Sequence, residues 1–138
     1  VSGQAIIWAA VMLPLFLAIV GLAIDGGIVF DNHRELQNVA DSAARAGAMQ
    51  VDVNAYRASA GQTVVLDQAS AQQAANAYLS SQGSALNGTV TADSEHVVVV
   101  VNRSVSTGFL RVIGIRGVQI TAGATAEVQH GITQGTTG

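Results

Sequence analysis

The side chains able to do acid–base or metal chemistry in this chain are three histidines and nine acidic residues, with six basic residues opposing them. All six are arginines, and there is no lysine. His33, His96 and His130 lie far apart, and none has a second His or a carboxylate at the spacing of a zinc-binding helix. No metal is therefore expected. Glu95 and His96 are neighbours, but on a strand they point to opposite faces and cannot act as one dyad. Asp93 and Glu95 do share a face, and solvated acids at a hairpin turn account for them. Gly21-x5-Gly27 and Gly108-x5-Gly114 lack the Lys-Ser/Thr pair of a phosphate loop, and there is no GxSxG elbow for a serine nucleophile. With no cysteine, thiolate catalysis, disulfides and Cys-bound metal clusters are excluded. No enzyme and no cofactor is expected. Two sequons, Asn87-Gly88-Thr89 and Asn102-Arg103-Ser104, are possible sugar acceptors.

One titratable residue has an informative place. Asp25 is the first charge in the sequence, directly after the uncharged run Ala5–Ile24, AIIWAAVMLPLFLAIVGLAI. Twenty helical residues span about 30 Å, the hydrocarbon thickness of a bilayer. A helix apolar on every side is not a surface helix of a small soluble domain. Pro14 would cost about 3 kcal/mol inside a helix in water, but membrane helices tolerate such prolines. A cleaved secretory signal fits poorly: its apolar core is shorter and follows positive charge, whereas Val1–Gln4 carry none on their side chains. Asp25 is expected at the membrane boundary. Within a packed core it would need backbone donors or a cation: Arg34, Arg45 or a neighbouring chain's N-terminal amine.

Composition agrees with this division of the chain. Apolar residues are 49% and charged residues 11%, against roughly 25% charged in ordinary soluble domains. A net charge of −3 argues against nucleic-acid binding. After Asp25, apolar residues recur on one helical face at Val29, Leu36, Val39, Ala40, Ala43 and Ala46/Gly47. One long helix over about residues 3–49 is predicted, with Gly26-Gly27 as its weak point and an Asp41–Arg45 pair on its surface. Residues 50–66 read as a connector ending in a short strand, Gln62–Leu66. Asp67 is an N-cap and Gly83 a stop for an Ala-rich helix that packs closely on the long one.

The remainder is strand-like: Gly88–Ala92, a turn at Asp93-Ser94, Glu95–Val105, and Val118–Val128. Five consecutive valines, Val97–Val101, predict burial on both faces. Gly108–Ile115 is predicted to be a short helix or turn that buries Phe109, Leu110 and Val112. The fold class is α+β: a long N-terminal hydrophobic helix, then a small globular domain of one short helix and an antiparallel sheet. Three segments follow: 1–49 (1–25 membrane or core, 26–49 amphipathic, packing on the head), 50–130 (head) and 131–138 (mobile tail). The first half of the helix has nothing in its own chain to pack against. It must be buried in lipid, in other copies, or in each in turn.

GlyGlnAla at 3–5, the Pro14-containing run, GlyLeuAlaIleAspGlyGly at 21–27 and ArgGluLeuGlnAsnValAlaAspSerAlaAlaArgAlaGlyAla at 34–48 together resemble Tad-type (tight adherence, Flp) pilus proteins of the TadE/TadG-like group. The resemblance covers about the first fifty residues. It implies a type IV pilin-like protein, processed by a prepilin peptidase, held in the cytoplasmic membrane and then extracted by assembly machinery into an extracellular filament or its base, for adhesion or surface attachment. If Val1 is the mature start, the fifth position is Ala5, whereas typical type IV pilins carry Glu there, and packing would have to set subunit register. The expected self-assembly surface is Ile6, Ile7, Trp8, Val11, Met12, Leu13, Pro14, Leu15, Phe16, Leu17, Ala18, Ile19, Val20, Gly21, Leu22, Ile24 and Asp25. The other readings are a membrane-retained minor pseudopilin or assembly protein, and a single-pass anchored enzyme or ligand-binding domain.

Overall fold

The computed structural model describes residues 2–128. Helix α1 is Ser2–Ala48 and runs unbroken through Pro14 and Gly26-Gly27. Its many Ala, Leu, Ile and Met residues favour the helix enough to carry it through Pro14 and the glycine pair. Past Ala48 the chain turns, with the Gln50 N–H on the Gly47 carbonyl at 3.0 Å. Helix α2, Val53–Ala58, follows at once. Its N-cap Asp52 accepts from the Asn54 and Ala55 N–H groups, both at 3.0 Å. Six residues started by a cap are too few for an apolar period, so the sequence pattern does not reveal α2. Helix α3, Gln68–Ser81, starts at Asp67, which accepts from the Ser70 N–H at 3.2 Å. Gly83, just past its C-terminus, has φ +110°, which an L side chain rarely adopts.

Three strands complete the chain: β1 Leu86–Ala92, β2 His96–Ser106 and β3 Gly117–Glu127, in the order β1-β2-β3. Strands β1 and β2 are antiparallel with Val90 opposite Val99. The β2–β3 ladder opens with the Val128 N–H on the Glu95 carbonyl at 2.8 Å. The expected strand Gln62–Leu66 is reduced to one bridge, Val51 with Leu66. The Leu66 N–H goes instead to the Ser94 carbonyl.

Contacts divide the chain into two units. One is the chain up to Arg34 together with Ser104–Ile120; the other is Glu35–Arg103 together with the chain from Thr121 on. The second unit holds the larger core. Leu36, Val39, Ala40, Ala43 and Ala44 of α1, Ala71, Ala75 and Leu79 of α3, and Val97, Val99 and Val101 of β2 are buried in it. The close approach expected of the Ala-rich helix is present. A Cβ on Gly47 would stand 2.9 Å from the Ala71 carbonyl oxygen and 3.0 Å from Val97. Glu35 and Arg103 form an ion pair at 3.4 Å.

The valine run departs from expectation. Val97, Val99 and Val101 are fully buried, while Val98 and Val100 are 39% and 41% exposed. The helices cover one face of the sheet, so the pleat turns every second valine outward. Asp41 and Arg45 do not pair; Asp41 accepts from the Gln37 Nε2 at 3.3 Å. The expected tail at 131–138 and His130 lie outside the described residues.

In the first unit, residues 107–116 connect β2 to β3 and contain a short 3-10 turn, Leu110–Ile113. The Thr107 N–H meets the Arg116 carbonyl, and its hydroxyl donates to the Ile115 carbonyl. Gly114, at φ +94°, reverses the chain. The turn is where expected, but its apolar side chains are not buried. Phe109 is 46% exposed and Val112 85%, because a four-residue turn presents most of its side chains outward.

Candidate functional site

Among the described residues the predicted candidates assemble no catalytic constellation, and what these residues present instead is a surface. Every large apolar side chain from Ile6 to Ile24 is 42–69% exposed. These are Ile6, Ile7, Trp8, Val11, Met12, Leu13, Leu15, Phe16, Leu17, Ile19, Val20, Leu22 and Ile24. Pro14 and Ala18 are exposed as well. The helix is long and apolar enough to cross a membrane. Burying a large aliphatic or aromatic side chain gains about 1.5–3 kcal/mol, so a row of thirteen is a strong driving force wherever water can be excluded.

The run ends on a sealed carboxylate. Asp25 is 2% exposed. Its Oδ1 accepts the Gly108 N–H at 3.1 Å and its Oδ2 the Leu110 N–H at 2.7 Å. Among the described residues no cation lies within ion-pair distance of it, so Arg34 and Arg45 are not its partners. Of the two kinds of partner the sequence allowed, backbone donors and a cation, the fold supplies the donors. Two converging N–H groups bond an ionised carboxylate well. One turn earlier, Gly21 lies under the Phe109 ring: a Cβ there would overlap the ring carbons. Only glycine leaves room for the ring. The end of the apolar run therefore does pack on its own chain, contrary to the expectation that it had nothing there to pack against. Nothing in the sequence marks Gly108–Leu110 as the partner, since the two segments are joined across 83 and 85 positions.

Asp25→Ala is expected to free the loop. Amide hydrogen exchange at Gly108 and Leu110 should accelerate markedly, with the exchange of Val97–Val101 unchanged. Equal exchange in both proteins would mean that the carboxylate does not hold the loop.

Among the described residues, His96 is the histidine that lies within ion-pair distance of acids. Its Nδ1 is 3.4 Å from Asp93 and its Nε2 3.4 Å from Glu127 across the sheet. Its neighbour Glu95 is not a partner, as the strand geometry required. Asp93 caps the β1–β2 turn, accepting the Glu95 and His96 N–H groups at 2.7 and 2.6 Å. These two bonds, the Glu95 one first, hold its carboxyl below the ordinary carboxylate range. A depressed folded value stabilises the turn above the unfolded value, near 3.8, and that stabilisation is lost as pH falls through the folded one. The acid limb of a thermal-midpoint profile should therefore flatten below pH 4 in Asp93→Asn. An unchanged acid limb would remove Asp93 from the account.

Among the described residues no three His, Asp or Glu side chains cluster as a metal site. Two open depressions, of about 450 and 830 Å³, lie beside α3 and β1 and beside the C-terminal end of α1. Asn87 and Asn102, the two sequon asparagines, face each other across β1 and β2. Asn87 is exposed and Asn102 half-buried.

Comparison with known proteins places one segment. Residues 3–50 match the Tad family model, described as Flp pilus-assembly TadE/G-like. The match takes in the whole apolar run, Asp25 and the α1 residues of the larger core. No curated protein and no solved structure matches the chain.

Proposed function

We propose that this chain, whose residues 3–50 match the TadE/G-like Flp pilus-assembly model, has a pilus-associated role and is a structural subunit of a Tad-like type IV pilus. Before assembly it is a single-pass protein of the cytoplasmic membrane, held there by residues 1–25. After processing by a prepilin peptidase it passes to the assembly machinery and enters an extracellular filament. Residues 5–24 of many copies pack together at the filament core, and residues 50–130, carried on 26–49, form the outer shell. Its work is mechanical and adhesive, with no catalysis and no cofactor. Asn87 is the exposed candidate for glycosylation on that shell, with Asn102 opposite.

The observation that carries this reading is the thirteen large apolar side chains left uncovered on one helix. Small residues among them, Ala9, Ala10, Ala18 and Ala23, permit close approach of neighbouring helices. Leaving lipid for other copies keeps the same side chains out of water. A second reading, a minor pseudopilin retained in the membrane as an assembly factor, is favoured by the family's own description as pilus assembly. Electron microscopy of sheared surface material, with mass spectrometry of its protein, separates the two. A fibre made mainly of this chain is the expected result. Its absence from fibres, with the chain still in membranes, would select the retained factor.

A further inference from the structure

We propose that the loop 108–115 is a second membrane contact, an apolar wedge that enters the headgroup–acyl boundary of the leaflet beside Asp25. The proposal rests on the reading of residues 5–24 as a membrane span and adds a contact that the span alone does not require.

Four observations lead to it. First, the loop exposes apolar side chains at a density that water does not favour: Phe109 46%, Val112 85%, Ile113 72% and Ile115 43% exposed. Second, its depth is fixed. Phe109 covers Gly21, inside the apolar run, one helical turn before Asp25. One turn is about 5.4 Å, and interfacial apolar faces sit roughly 5–10 Å into this boundary. A span that reaches Ile24 therefore carries Phe109 to that depth with it. Third, the loop cannot easily leave. The Gly108 and Leu110 N–H groups are bonded to Asp25. These bonds also remove two backbone donors that lipid could not satisfy. Fourth, the charges suit a phosphate-rich surface. Arg111 and Arg116 are exposed, and Ser104–Ile120 contains no acid. Arginine stems can lie along apolar surface while their guanidinium groups reach lipid phosphates. Asp25, the carboxylate bonded to the loop, is sealed under it.

The wedge explains why a carboxylate at the end of a membrane span is enclosed at all. A bare carboxylate at this depth would draw water inward. Bonded to the loop, it lets the apolar surface continue from Ile24 onto Phe109, Val112 and Ile113. On extraction into a filament the same wedge would have to leave the bilayer together with the helix.

The chain has a single tryptophan, Trp8, which makes the test direct. The full-length wild type in phosphatidylcholine–phosphatidylglycerol vesicles reports the span through Trp8. The double variant Trp8→Phe/Phe109→Trp reports the loop. Brominated lipids of graded bromine depth quench each indole according to its position. Expected are quenching of Trp8 and, at position 109, blue-shifted emission quenched best by bromines near the headgroups. Val112→Asp in the double-variant background, at a position too exposed to disturb the fold, should lose most of that quenching. Quenching of Trp8 with water-like emission at position 109 would overturn the wedge and leave the span standing. Quenching of neither would overturn both. Blue-shifted emission at position 109 that no brominated lipid quenches would assign the loop to a protein neighbour and overturn the lipid contact.

Discussion

Ala18→Asp is expected to abolish surface fibres while leaving the protein in the membrane. Ala18 is an exposed small residue in the second half of the apolar run, flanked by Leu17 and Ile19 at 53% and 59% exposure. An aspartate at the centre of a membrane helix costs about 2.5–3.5 kcal/mol, and less toward its ends, where water and headgroups are within reach. The remaining uncharged residues still favour the bilayer. A filament core offers neither headgroups nor water, and each subunit would bring one unpaired charge into it. A penalty of about 2.8 kcal/mol per subunit is a hundredfold in an association constant, which no polymer of weakly held copies survives. Immunoblots of sheared surface fractions and of membranes check this together. Wild-type fibre yield from the variant would show that position 18 does not face a neighbour.

Leu36→Ala is expected to destabilise the head by about 2–5 kcal/mol, the usual penalty for emptying a fully buried leucine site. Leu36 is 0% exposed on α1, on the same buried helix face as Val39, Ala40 and Ala43. Phe16→Ala, on the same helix but 69% exposed, should leave the thermal midpoint of the head in detergent unchanged and reduce fibre yield instead. One helix thus does two separable jobs, and the pair of variants measures each alone. Equal midpoints for Leu36→Ala and wild type would place the core elsewhere.

The features legible in the sequence were those written as long patterns. Twenty uncharged residues can be read directly as an apolar helix, and the return of polar residues after Asp25 at helical spacing predicts the continuation to residue 48. Asp67 as a cap and Gly83 as a stop are local chemistry, and α3 begins and ends by them. The alternation Val118, Ile120, Ala122 describes a strand with one wet face, and β3 buries Ile120 and Ala122. What could not be read there depends on partners far along the chain. Five valines look alike in a sequence, and only helices packed on a single side of β2 make Val98 and Val100 differ from their neighbours. α2 rests on one aspartate cap. The enclosure of Asp25 needs a loop more than eighty positions away, and that loop carries no motif for it. Gly21 reads as a small residue suited to helix packing, whereas in the fold it accommodates the ring of Phe109.

The central claim is that residues 5–24 are sheltered by something other than their own head. A chain without cysteine allows this to be measured with one reporter. Phe16→Cys introduces a single thiol in the middle of the exposed apolar run. In intact membranes and in sheared fibres that thiol should resist a water-soluble maleimide, and it should react fully once the sample is dissolved in denaturing detergent. Rapid labelling in both intact samples would mean that water reaches the run, and the account would be contradicted.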